Sequence, residues 1–128
     1  MTARVDLHSL TGEKTRPDWL EQAIASVAGQ PVNLRIMDNS GRATGVGRAQ
    51  AYRESAAEFV ACLDPDDALL PGAIEACIAA LDANPAAIGA YTDALYIDES
   101  GNVLGPDSST GSGPWTVERS LTGAGHTE

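Results

Sequence analysis

Apolar and polar positions change their period several times along this chain, and each change marks an element. Residues 4–10 alternate loosely, which suits a first strand. A polar loop follows, and then Trp19, Leu20, Ala23, Ile24 and Val27 recur at helical spacing. Pro17 fits the first helical position, where its preset φ helps and its missing N–H costs nothing, and Gly29 supplies a stop. Residues 32–38 read as a second strand, with Val32, Leu34 and Ile36 alternating with Asn33 and Arg35. A glycine-rich loop, 39–47, leads to a mostly polar helix over 48–57, with Arg48 at its start. Residues 58–64 form a third strand with a nearly continuous apolar run, as expected for a strand covered on both faces. Ile74, Cys77, Ile78 and Leu81 line one side of a third helix that Asn84 and Pro85 end. Residues 87–98 give a fourth strand region, 99–102 a turn, and Val103 opens the return strand of a hairpin.

The order β-α-β-α-β-α-β-β implies an α/β fold: a single Rossmann-like domain, its sheet mostly parallel and flanked by helices, with a C-terminal β-hairpin. Right-handed crossovers place the strand ends Leu10, Asp38 and Asp64 on one rim, where open α/β sheets bind ligands. The folded domain is expected over residues 1–105. Residues 106–128 are rich in Gly, Ser, Thr and Pro and read as a flexible tail or lid.

A length of 128 residues suffices for one core and is short for two. The formal net charge is −10, so the basic footprint that nucleic-acid groove binding needs is missing. No run of roughly 18 apolar residues spans a membrane, and the N-terminal stretch lacks the apolar core of a secretory signal. A cytoplasmic protein is the expectation. Cys62 and Cys77 fall on an apolar strand and an apolar helix face without zinc-site spacing, and are expected to be reduced core residues. An exposed sheet edge leaves a homo-oligomer open.

Asp64, Asp66 and Asp67 sit together directly after the third strand. Three like charges in four positions repel one another. In an extended segment Asp64 and Asp66 project to one side, and Pro65 between them stiffens the backbone. Two carboxylates so placed can hold a hard cation, Mn²⁺ or Mg²⁺, with diphosphate oxygens and water completing its shell. The plainer alternative is that Asp66 or Asp67 caps the turn or helix that follows.

The motifs in order resemble a GT-A fold glycosyltransferase of family 2. "RIMDNS" is similar to the family's strand ending in "VDDGS", "GVGRAQAYRES" to "GVSAARNxG", "AEFVACLDPDDALLP" to "GEYIAFLDSDDLLLP", and "AIGAYTDALYIDESGNVLG" to "VGVVYGDALYIDEDGNVLG". The resemblance covers about residues 5–105. It implies a nucleotide-sugar donor, a UDP-sugar or similar, and an acceptor that the sequence does not name. By the same resemblance Asp38 holds the nucleobase, with Asn39 in place of a partner acid, and Leu10 and Thr11 line the base pocket. Asp66 is then a metal ligand, and Asp64 a ribose or donor-sugar contact or a second metal ligand. Arg48 reaches the phosphates from the start of its helix, where backbone N–H groups also favour anions.

The base that takes the acceptor's proton lies, in the family, beyond the region matched here, often in an "ED" pair that is not found after residue 105. Asp93 and His126 are weak catalytic candidates, and Glu118 and Glu128 weaker ones. Trp115 is expected to anchor the tail, and His8 to be a satisfied structural histidine. The alternative to an enzyme is a non-catalytic nucleotide-sugar-binding or protein-interaction module on a truncated version of the same fold. A nucleotidyltransferase ranks far below both, because its glycine-rich opening is missing.

Overall fold

A computed structural model of the chain describes residues 3–107. The chain divides into two compact units between Ala90 and Tyr91. The first contains strands β1 (Val5–Thr11), β2 (Val32–Asp38) and β3 (Phe59–Cys62) and helices α1 (Pro17–Val27), α2 (Thr44–Glu54) and α3 (Ala73–Ala83). The three strands form one parallel sheet in the order β2-β1-β3. Val5 lies opposite Val32 and Phe59, and the β1–β2 ladder runs to Thr11 opposite Asp38.

Because side chains alternate, β1 has two distinct faces. Leu7 is fully buried on one of them, in a core with Ala23 and Val27 of α1 and Leu63, against which Val32, Ala61 and Leu69 pack. On the other, the Asp6 carboxylate accepts hydrogen bonds from Asn33 Nδ2 (2.8 Å) and Ser55 Oγ (2.6 Å), which ties β2 and the end of α2 to β1. His8 packs edge-on against Tyr52 of α2, ring centroids 5.5 Å apart. At the opposite end of the strands from the rim, Arg4 donates to both Glu58 and Asp82 and lies over the Phe59 ring.

Proline at its first position opens α1 as expected, and Gly29 turns out of it at φ 79°. Three expectations need correction. β3 is four residues long and only half-buried; among the described residues it is an outer strand of its three-stranded sheet. Cys62 is therefore exposed, and Cys77 is half-buried; both are free thiols but neither is a core residue. The α2 helix starts at Thr44, so Gly45 and Gly47 lie inside it and Arg48 stands in its second turn.

The second unit holds β4 (Ala94–Ile97) paired antiparallel with β5 (Val103–Asp107), with a bulge between Tyr96 and Ile97. Residues 87–93, expected to extend the fourth strand, are not strand. Asp98 organises the turn. Its Oδ1 accepts the backbone N–H groups of Ser100 and Asn102, both at 2.9 Å, and those bonds hold its carboxyl below the usual range.

Candidate functional site

The acidic segment is set by what flanks it. Leu63 is buried, and its N–H donates to the His8 carbonyl (3.0 Å), which extends the sheet by one residue beyond β3. The chain then reverses: Asp67 N–H donates to the Asp64 carbonyl at 3.0 Å, with Pro65 and Asp66 between them. Pro at the second position of such a turn costs nothing, since its φ is already correct. The acids are thus gathered by a tight turn, not by the extended alternation expected from their spacing. The segment beyond is pinned to α1. Leu69 N–H donates to Ser26 Oγ (2.9 Å), and Gln30 Nε2 donates to the Leu70 carbonyl (3.1 Å).

The turn brings one carboxylate oxygen from each of Asp64, Asp66 and Asp67 within 4.8 Å of one another. Lost hydration, followed by the Asp66 and Asp64 charges, pushes the Asp67 carboxyl up. Neither Asp66 nor Asp67 caps the next helix, because α3 is preceded by Gly72 at φ 78° with no side-chain cap. Three convergent oxygen donors of this type suit a hard divalent cation, whose charge offsets their repulsion.

A second wall comes from α2. Gly47 and Ala51 are buried one turn apart, and this small stripe lets the helix settle close to the sheet. A Cβ on Gly47 would collide with Asn39 Oδ1 and meet Leu10 Cδ1 at 3.0 Å. The neighbouring stripe carries Thr44, Arg48 and Tyr52. Arg48 NH2 donates to Asp64 Oδ1 at 2.8 Å.

The β1–α1 loop forms the third wall. Gly12 N–H donates to Thr15 Oγ1 (2.8 Å), and Thr15 N–H returns a bond to the Gly12 carbonyl (3.1 Å), closing the loop on itself. Arg16 forks onto the Asp18 carboxylate, holding it below the usual range, and lies 3.9 Å from the Trp19 ring centroid. Between the walls is a cavity of about 380 Å³. Its cations are Lys14, Arg16 and Arg48, its acids Asp64 and Asp66, and Thr44, Leu10 and Trp19 also line it.

Of the residues expected at the site, Leu10, Arg48, Asp64 and Asp66 meet in this cavity. Thr11, Asp38 and Asn39 stand at adjacent strand ends but do not line it. Thr11 Oγ1 donates to the Met37 carbonyl (3.3 Å). Asp38 is exposed, and Ser40 holds its Oδ1 through both hydroxyl (2.6 Å) and N–H (2.9 Å), keeping the carboxyl below the usual range. Asn39 is buried, with its Nδ2 donating to the Ala43 carbonyl (3.2 Å). Asp93 is exposed in the second unit, before β4. Trp115, Glu118, His126 and Glu128 lie outside the described residues.

His8 is buried as expected of a structural histidine, but its contact with the Ala61 backbone falls short of good hydrogen-bond geometry at either ring nitrogen. Lys14, Arg16, Trp19 and Thr44 were not foreseen. Trp19 fits the helical apolar stripe so well that it reads as core, when it supports a cavity wall. The signal for the loop was two cations within six residues of the carboxyl end of β1.

The family model for glycosyl transferase family 2 matches residues 15–104. The chain belongs to that family. The matched region runs from the β1–α1 loop into β5 and contains Arg48 and the whole acidic turn. No curated protein and no solved structure matches the chain. A family 2 glycosyltransferase domain carries glycosyl transfer as its general activity, with a nucleotide-sugar donor and an acceptor. The three-stranded parallel sheet, its flanking helices and the separate hairpin fit its GT-A architecture. Among the described residues, no helix of this glycosyltransferase domain is long and apolar enough to cross a membrane.

Proposed function

We propose that this domain transfers a sugar from a uridine- or related nucleotide-linked donor in a reaction that depends on Mn²⁺ or Mg²⁺. The observation that carries the reading is the polarity of the cavity. Asp64 and Asp66 line one side, with Asp67 converging on them from the same turn, and Lys14, Arg16 and Arg48 stand on its other walls. That division would suit a cation held by the acidic turn and a diphosphate whose charge the guanidinium and ammonium groups offset. The first helical residue of α2, Thr44, also lines the cavity, and the N-terminal end of a helix favours an anion.

In glycosyl transfer the acceptor oxygen bonds to the anomeric carbon as the bond from that carbon to the diphosphate oxygen breaks. The electron pair of that bond leaves with the nucleoside diphosphate, and the acceptor's proton goes to a base. A bound divalent cation supplies charge stabilisation to the departing diphosphate. Asp64, Asp66 and Asp67 would hold the cation, Arg48 and Lys14 would orient the phosphates, and the Arg16–Trp19 stack would exclude water from one side. Asp38, with one oxygen uncommitted to Ser40, is the nucleobase contact this reading prefers, with Thr11 and Asn39 shaping the strand ends beside it.

Calorimetric titration with UDP, with and without Mn²⁺, tests the reading. Binding is expected to need the metal, and Asp66→Ala is expected to abolish the metal-dependent part. Equal UDP affinity with and without Mn²⁺, or no binding in either, overturns it.

A further inference from the structure

We infer that the cavity takes up a divalent cation and a diphosphate as a joined pair, because in the ligand-free protein Arg48 masks Asp64. The inference rests on the functional reading above and adds to it an order of events. Arg48 NH2 and Asp64 Oδ1 are 2.8 Å apart, so a group suited to the diphosphate is spent on a group suited to the cation. A free cation meets a carboxylate already shared with a guanidinium. A free diphosphate meets a guanidinium already neutralised, beside two further acids.

The contact is built to exchange. It runs through a single nitrogen, and Arg48 Nε is buried without any acceptor, so the guanidinium lacks the two-point fork that makes such pairs strong. The side chains are 35% and 52% exposed, which places the pair among those of modest strength. Phosphate oxygens offer Arg48 a better partner, and its departure returns Asp64 to the cation. Each ligand therefore raises the affinity of the other by the same factor, as linkage requires. Arg48 acts here as a positioning residue that couples the two halves of the site.

Titrations with Mn²⁺ alone, UDP alone and the two together read this directly. The wild-type protein is expected to bind each alone weakly and each in the presence of the other roughly 10-fold more tightly or better. Arg48→Gln is expected to bind Mn²⁺ alone about 2- to 5-fold more tightly than wild type, the worth of a half-exposed ion pair. Asp64→Asn breaks the contact from the other side and is expected to tighten UDP binding without metal. Lys14→Gln removes one positive charge from the same cavity, but Lys14 holds no carboxylate among the described residues, so Mn²⁺ affinity is expected to change little. Unchanged or weaker Mn²⁺ binding by Arg48→Gln overturns the inference while leaving the functional reading standing, and so does an equal gain in Lys14→Gln. Failure of wild type to bind the pair overturns both. Circular dichroism of each variant establishes that α2 is intact before the affinities are compared.

Discussion

The two faces of β1 solve different problems with residues one position apart. On the α1 face, Leu7 disappears into an apolar cluster with Ala23, Val27 and Leu63. On the α2 face, Asp6 and His8 meet a hydroxyl, an amide and an aromatic edge, and the helix approaches over Gly47. The apolar face is non-directional and stabilises the unit in proportion to area. The polar face is directional and fixes where α2 sits, and therefore where Thr44 and Arg48 stand at the rim. Stability and site geometry are thus largely separated across one strand, and substitutions on the two sides should fail differently.

The largest effect belongs to the apolar face. Leu7→Ala removes the most buried side chain of the cluster and should cost about 2–5 kcal/mol in denaturant unfolding. That is a large share of the roughly 5–15 kcal/mol that a domain has in total. Nucleotide affinity of the fraction that remains folded should hardly change, because Leu7 does not line the cavity. A Leu7→Ala protein that unfolds like wild type would remove the division between the faces.

Gly47→Ala should invert that pattern. The new methyl meets Asn39 Oδ1, and Asn39 cannot step aside without giving up its bond to the Ala43 carbonyl. The expected loss is about 1–3 kcal/mol, reduced by up to about 1 kcal/mol because alanine favours the helix. The larger consequence should be on UDP–Mn²⁺ affinity, since α2 must lift at the end that carries Thr44 and Arg48. If stability falls while affinity holds, the polar face does not position the site.

These faces were unequally legible in the sequence. The α/β order, the rim, the bounds of β2, Pro17 and Gly29 all follow from period and punctuation, because backbone geometry enforces them locally. The gathering of Asp64, Asp66 and Asp67 was also legible, although the turn that achieves it was not, since Pro65 fits an extended segment and a turn equally well. What local pattern cannot carry is which side of an element ends up covered. Cys62 sits in an apolar run but on an outer strand, and Trp19 lies on an apolar stripe but beside a cation. Gly47 looked like loop, because glycine in a helix interior is costly unless a neighbour demands the space, and that neighbour, Asn39, is close only in the folded chain. Lys14 and Arg16 gained meaning only when the β1–α1 loop closed over the rim.

Asp6 offers a finer cut through the polar face. The Ser55 hydroxyl, then the Asn33 amide, hold its carboxyl below the ordinary value. Its contribution is therefore present above about pH 3.9, the unfolded value, and is lost as pH falls through the folded one. Asp6→Asn should cost about 1 kcal/mol at neutral pH and should flatten the acid limb of the stability curve. An unchanged acid limb would show that Asp6 is not the group that titrates there.

The last test of the polar face is a pH dependence. His8 is buried with neither ring nitrogen in good hydrogen-bond geometry, and burial, then the charges of Arg48 and Arg35, pushes it below its ordinary value against the opposing pull of the Ala61 backbone and Asp64. The folded protein protonates His8 less readily than the unfolded chain, which takes up its proton near pH 6.5. Stability from this residue is full above that pH and declines as pH drops toward the folded value, with a slope of at most about 1.4 kcal/mol per pH unit for one proton. His8→Phe keeps an aromatic edge for Tyr52 without a titrating group. Its unfolding free energy should be flat between pH 5 and pH 7, roughly, where that of wild type falls. Equal slopes in wild type and His8→Phe would mean that the ring finds a proton acceptor in solution, and that the α2 face is less strictly ordered than the α1 face is dry.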